Sequence, residues 1–172
     1  MIDRQVEPEV AVDMPAIVGE GPIWDADEQV LYWVDILSAL VCIYNPQSGK
    51  NRTIDVGQVV GTVVPRASSG LMLALHNGFS ALDLQTEKLT PIADPERKIP
   101  GNRFNDGKCD PAGRFWAGTM EFDGKPDQGA LYCLELDQSV SQKVSPVTIS
   151  NGIVWSHDAR TMYYIDSGSN NV

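Results

Sequence analysis

Three places along the chain set an oxygen-bearing side chain beside a glycine: Glu20-Gly21, Asn105-Asp106-Gly107 and Asn151-Gly152. Carboxylate and carboxamide oxygens are the donors that hard cations such as Ca²⁺ and Mg²⁺ prefer, and Mn²⁺ or Zn²⁺ also accept them. Glu20, either Asn105 or Asp106, and Asn151 would supply part of a metal shell. The same residue pairs also suit tight turns, because asparagine, aspartate and glycine tolerate left-handed backbone. Spacing alone leaves both readings open. The two histidines, His76 and His157, fall in predicted turns, where the ring is expected to be solvated rather than to act as ligand or base.

The elements that would carry these residues read as strands. Runs such as Val30–Val34, Leu71–Leu75, Arg114–Ala117 and Met162–Ile165 are rich in aromatic, β-branched and leucine side chains. Turn residues bound them: Asp25–Glu28, Asn45–Gly49, His76–Gly78, Asp110–Gly113 and His157–Ala159. The resulting hairpins recur. Glu20–Trp24 with Leu31–Asp35 resembles Asn151–Trp155 with Met162–Asp166, and Asp106–Asp110 with Phe115–Ala117 is a looser copy. With Gly61 as a fainter fourth start, glycines 21, 61, 107 and 152 are separated by 40, 46 and 45 residues. That period matches the roughly 40–50 residues of a four-stranded propeller blade. The fold expected is therefore all-β, an arc of about 3.5 to 4 blades of a β-propeller, in a single domain spanning 1–172. In such a ring the innermost strands line a central tunnel, so residues at the repeat starts would converge. Trp24, Trp33, Trp116 and Trp155 are expected in the core between blades, and Asp35 and Asp166, which share a repeat position, are expected to bond backbone within their blades.

Composition bounds the partners. A formal charge of -10, from 23 acidic and 13 basic residues, argues against nucleic acid, whose binding begins with clustered Lys and Arg on phosphates. Cys42, Cys109 and Cys133 are too few and too widely spaced for a disulfide framework and read as small buried hydrophobes. The N-terminal stretch carries acids where a secretory signal needs basic residues, and no segment approaches the ~18 apolar residues of a membrane span, so the chain reads as cytoplasmic, with no membrane partner.

Longer motifs narrow the function. Gly19–Trp24, the run Asn102-Arg103-Phe104-Asn105-Asp106-Gly107-Lys108 with Asp110–Arg114 and Ala117–Met120, and Ile149–Gly152 with Tyr164–Ser167 resemble signatures of the senescence-marker-protein (regucalcin), gluconolactonase and luciferin-regenerating-enzyme family. The resemblance runs from about residue 15 onward. It implies a six-bladed propeller that hydrolyses a sugar lactone with a divalent cation (Ca²⁺, Zn²⁺, Mn²⁺ or Mg²⁺). It further implies Glu20 and Asn151 as metal ligands, Asn105 reaching the metal directly or through water, and Arg103 and Asn105 lining the substrate pocket. Glu121 and Asp123 fall where some members carry another substrate-contacting carboxylate, the spacing favouring Asp123. The family's remaining ligand and favoured base is an aspartate in a later Pro-Asp-Gly motif, expected beyond Val172, so no catalytic base is assigned within this chain.

Four repeat starts with the last ending near its second strand leave a ring unclosed. The expectation is of an N-terminal part of a longer protein that is inactive alone, in which a strand at Val6–Val12 would complete the last blade. The alternative of another class is a non-catalytic propeller that binds calcium or a protein partner.

Overall fold

The structure, a computed structural model, describes residues 7–169. Every regular element in it is a strand, and the strands follow the sequence in meanders. β1 (Gly19–Asp25), β2 (Val30–Asp35), β3 (Leu40–Asn45) and β4 (Lys50–Asp55) form the first sheet in chain order. β5 (Val60–Pro65), β6 (Leu71–Leu75), β7 (Gly78–Leu82) and β8 (Leu89–Ala93) form the second. β9 (Asn102–Cys109), β10 (Phe115–Glu121), β11 (Gly129–Leu134) and β12 (Val140–Val147) form the third, and β13 (Ser150–Trp155) pairs with β14 (Met162–Asp166) in a half-sheet. Successive first strands adjoin one another, β1 beside β5, β5 beside β9 and β9 beside β13. This is an arc of three and a half propeller blades, with one blade for each step of the glycine repeat.

Aspartates build the turns. The carboxylates of Asp25, Asp55, Asp83, Asp110, Asp137 and Asp158 each accept the backbone N–H two residues onward, which folds the chain back between strands. A good part of the acidic charge is thus spent on hairpin geometry. At the bases of two blades the repeat is closer still. Asp35 accepts from the N–H groups of Ile17 and Val18 at 3.0 and 2.9 Å, and Asp166 accepts from Thr148 and Ile149 at 3.0 and 2.9 Å. Each pins the segment entering its own inner strand. Burial alone would raise both carboxyls, but hydrogen bonding outweighs it, led by the Ser38 side chain at Asp35 and by the Ile149 N–H at Asp166, and holds them below the usual carboxylate range.

The core lies between blades, where sheet faces stack. Tyr32, Val34, Val41 and Ile54 of the first sheet meet Val60, Val63, Leu71, Leu73, Leu75 and Leu82 of the second. On the other side of the second sheet, Phe79 packs against Phe104 and Phe115, with ring centroids 4.8 and 5.6 Å apart. The second sheet is covered on both faces, so β7 is buried at all five positions and its sequence shows no polar alternation. The inner strands also approach closely. A β-carbon at Gly61 would lie 2.5 Å from the backbone of Phe104 and Asn105, so only glycine lets β5 pass β9 here.

Three expectations need correction. The tryptophans are less buried than expected: Trp24 is 46% exposed, and Trp33, Trp116 and Trp155 are half-buried, although Trp116 and Trp155 do meet between neighbouring blades with ring centroids 6.3 Å apart. The interblade layers are filled by Val, Leu, Ile and Phe, while Trp33 bonds Asn51 through its indole N–H and Trp116 bonds Asp110. Tryptophan's polar edge here faces outward to a partner. Glu7–Val12 of the strand expected at Val6–Val12 pair with no described strand, and the last blade they were expected to complete is not among the described residues; Val6 lies outside the described residues. The third run begins at Phe115, one residue late, and continues to Glu121. The cysteines do sit as expected, Cys42 and Cys133 buried and Cys109 half-buried, and burial pushes their thiols up to about 11 (Cys42 and Cys109) and about 12 (Cys133).

Candidate functional site

All four inner strands carry an irregularity at the same height. Pairing shifts between Glu20 and Ile23 in β1, between Val60 and Thr62 in β5, between Phe104 and Gly107 in β9, and between Asn151 and Ile153 in β13. A bulge inserts a residue, breaks the strict in-out alternation and re-aims the side chains beside it. Gly21 makes the first one possible with φ at 58°, a conformation that side chains with a β-carbon resist. Every residue singled out for metal chemistry flanks one of these bulges.

Between the inner strands lies a cavity of about 270 Å³, lined by Glu20, Thr62, Asp106, Lys108 and Gly152 among others. Glu20 is exposed at it, whereas Asp106 is half-buried and accepts the Gly107 N–H at 2.7 Å. Burial pushes the Asp106 carboxyl up, and the negative charge of Glu20 pushes it further. Thr62 ties the wall together by donating to the Gly107 carbonyl at 3.2 Å.

Asn105 and Arg103 do a different job. The Asn105 amide donates to the Ser150 carbonyl at 2.8 Å, strapping β9 to β13, and its oxygen accepts Arg103 Nη1 at 2.9 Å. Arg103 Nη1 also donates to the Phe104 carbonyl at 3.1 Å, which leaves the far side of the half-buried guanidinium uncommitted among the described residues. Asn151 ties its amide nitrogen to Ser167 Oγ at 3.2 Å and turns its oxygen toward the Gly152 N–H at 3.3 Å, a weak contact. Glu121 is almost buried and folds its own loop, accepting Asp123 N–H at 2.7 Å and Lys125 Nζ at 2.8 Å. Lysine's hydrogen bond leads in lowering its pKa. Asp123 stands out in solvent, with its side chain 82% exposed.

The structure therefore brings Glu20 and Asp106 to one cavity, joins Arg103 and Asn105 to the β13 stretch that holds Asn151, and leaves Glu121 and Asp123 on the following loop. Sequence reasoning left Asp106 as an alternative to Asn105 and did not single out Lys108. Only the bulge, which pairing reveals and composition does not, tells which neighbour turns inward. His76 also departs from expectation. It is half-buried, its ring 5.3 Å from that of Phe122, and its buried Nδ1 has no partner among the described residues.

The donor set fits a hard cation. It offers two carboxylates in one cavity, Glu20 and Asp106, with no sulfur or imidazole in the lining, while the amides of Asn105 and Asn151 sit at the neighbouring bulges and outside that lining. Among the described residues no three acidic, histidine or cysteine side chains gather, so amide oxygens are needed to complete a shell.

Residues 18–172 match the family described as the SMP-30/Gluconolactonase/LRE-like region. The chain belongs to that family. Regucalcin of Xenopus laevis is 43% identical over 155 residues, covering 87% of this chain and 52% of that protein. YvrE of Bacillus subtilis, named as a candidate sugar lactone lactonase, is 39% identical over 155 residues, covering 90% of this chain and 53% of its own. The crystal structure of a calcium-binding protein, regucalcin, from Agrobacterium tumefaciens superposes with a TM-score of 0.89 at 28% identity, over 94% of this chain and 54% of that one. This SMP-30 family chain thus spans about half the length of these relatives, and its three and a half blades superpose on the matching portion of a regucalcin propeller.

Proposed function

We propose that the whole protein is a divalent-metal-dependent hydrolase of sugar lactones. The observation that supports this reading is the family match over residues 18–172 together with bulges in the inner strands beside a cavity that Glu20 and Asp106 line. The names of its relatives, one a candidate sugar lactone lactonase and another a calcium-binding protein, point the same way.

Glu20 and Asn151 would hold the cation, with Asn105 beside them. A bound cation supplies Lewis-acid polarisation of the lactone carbonyl and positive charge for the oxyanion. Arg103 presents its uncommitted N–H groups to the sugar's ring oxygen and hydroxyls, and the Arg103–Asn105–Ser150 chain of hydrogen bonds keeps it from swinging away. Asp123, exposed on the adjoining loop and held only by a loose 3.8 Å ion pair to Lys125, is more available to a hydroxyl than Glu121, which is already engaged. Water adds to the carbonyl carbon and the ring C–O bond breaks. The proton lost by water passes to a carboxylate base assigned to the later Pro-Asp-Gly segment, and the alkoxide is protonated to give the open hydroxy acid.

The test is hydrolysis of glucono-δ-lactone by the whole protein, followed by pH-stat titration before and after chelation and with cation added back. Turnover that disappears with chelator and returns with metal is the expected result. Metal binding without turnover would favour the non-catalytic calcium-binding propeller instead, a reading to which the calcium-binding description of the Agrobacterium relative lends weight.

A further inference from the structure

Two carboxylates and one lysine line the axial cavity. Glu20 lines it from β1 and Asp106 from β9, and the charge of Glu20 adds to burial in raising the Asp106 carboxyl. The Gly107 backbone N–H, 2.7 Å from its carboxylate, holds Asp106 in place. Lys108, which lines the same cavity, offsets part of the repulsion but forms an ion pair with neither acid among the described residues. Two like charges facing one cavity, one of them half-buried, cost stability unless something positive completes them. Asn105, the neighbour with the more obvious claim, already spends both ends of its amide on Arg103 and Ser150.

We infer that Asp106 is a cation-positioning residue, whose fixed carboxylate, facing the cavity that Glu20 also faces, sets how tightly a divalent ion is held, while Lys108 opposes it and trims that affinity. Asp106 acts through the field it adds to the Glu20 end of the cavity, and Asn105 serves as the strut between β9 and β13. The inference rests on the metal-dependent reading above and adds to it the group that tunes affinity.

Calorimetric titration of the whole protein with Mn²⁺ alone, with thermal unfolding of the metal-free forms, tests it. Asp106→Asn keeps the acceptor for Gly107 but loses the charge. It is expected to weaken Mn²⁺ binding by about 10- to 100-fold, the usual effect of losing a supporting partner of a metal site. Its metal-free melting temperature should rise above that of the unchanged protein, because the repulsion with Glu20 is gone. Lys108→Gln should do the opposite on both counts, tightening Mn²⁺ and lowering the metal-free melting temperature. A purely structural Asp106 would lower stability without touching affinity. Unchanged Mn²⁺ affinity in Asp106→Asn, or weakened affinity in Lys108→Gln, overturns the inference alone. Absence of divalent binding in the unchanged protein overturns the metal reading beneath it.

Discussion

Glu20→Gln is expected to reduce metal-dependent lactone hydrolysis by more than about a hundredfold while leaving the fold intact, since even outer partners of metal sites cost 10- to 100-fold when removed. The two halves of that expectation come from different features. Glu20 is exposed at the cavity, and its carboxylate has no hydrogen-bond partner among the described residues, so glutamine has nothing structural to disturb. The isosteric change removes only the negative charge and leaves a weaker neutral oxygen for a hard cation. Steady-state kinetics at saturating Mn²⁺ or Ca²⁺, together with a thermal melt, check both halves. A variant that melts normally yet hydrolyses the lactone at the unchanged rate would remove Glu20 from the metal site.

Asp110→Ala should produce the largest loss of stability. Asp110 is only 6% exposed and carries four hydrogen bonds: from the backbone N–H groups of Ala112 and Arg114, each at 2.9 Å, from Arg114 Nε at 2.6 Å, and from the Trp116 indole at 2.9 Å. Burial would raise its carboxyl, but the bonds from Trp116 and Arg114 prevail and hold it below the ordinary range. Alanine orphans all four donors at the hairpin that aligns β9 with β10. Removing one partner from a buried charged network costs about 3–5 kcal/mol. At about 2–4 °C per kcal/mol for a chain of this size, the melting temperature should fall by roughly 10 °C. Asp110→Asn, which retains acceptance from the turn, should fall by less. The long motif from Asn102 to Arg114 therefore divides in two, with Asp106 and Lys108 lining the cavity and Asp110 to Arg114 closing the turn behind it. Activity per folded molecule is accordingly expected to survive in Asp110→Asn.

Much of this architecture could be read from residues because local chemistry decides it. Turn aspartates such as Asp25 and Asp158 announce their hairpins, since an aspartate that accepts the N–H two residues on acts within its own turn, and Asp35 and Asp166 declare themselves by recurring at the same place in the repeat. The glycine repeat set the blade count, and the packing of Gly61 against β9 explains why even the faintest copy had to be glycine. What escaped depends on long-range pairing. The bulge in β9 turns Asp106 rather than Asn105 into the cavity, and nothing in the order Asn-Asp-Gly specifies which residue is displaced. The tryptophans misled for a similar reason. Size suggested burial, but the narrow layers between blades accept Val, Leu and Phe, and the indoles were placed where their N–H groups meet Asn51 and Asp110. His76 lies beside Phe122 only because the turns of neighbouring blades meet, a contact between residues 46 positions apart.

Crystals of the whole protein grown with Mn²⁺ and measured at the manganese absorption edge provide the most direct test of a cation held between the inner strands. The account predicts one anomalous peak at the axis, bonded to both a Glu20 carboxylate oxygen and the Asn151 carboxamide oxygen, with Asp106 facing the same cavity. A peak ligated by neither residue, or Glu20 and Asn151 side chains directed to separate places with no shared ion, would contradict it.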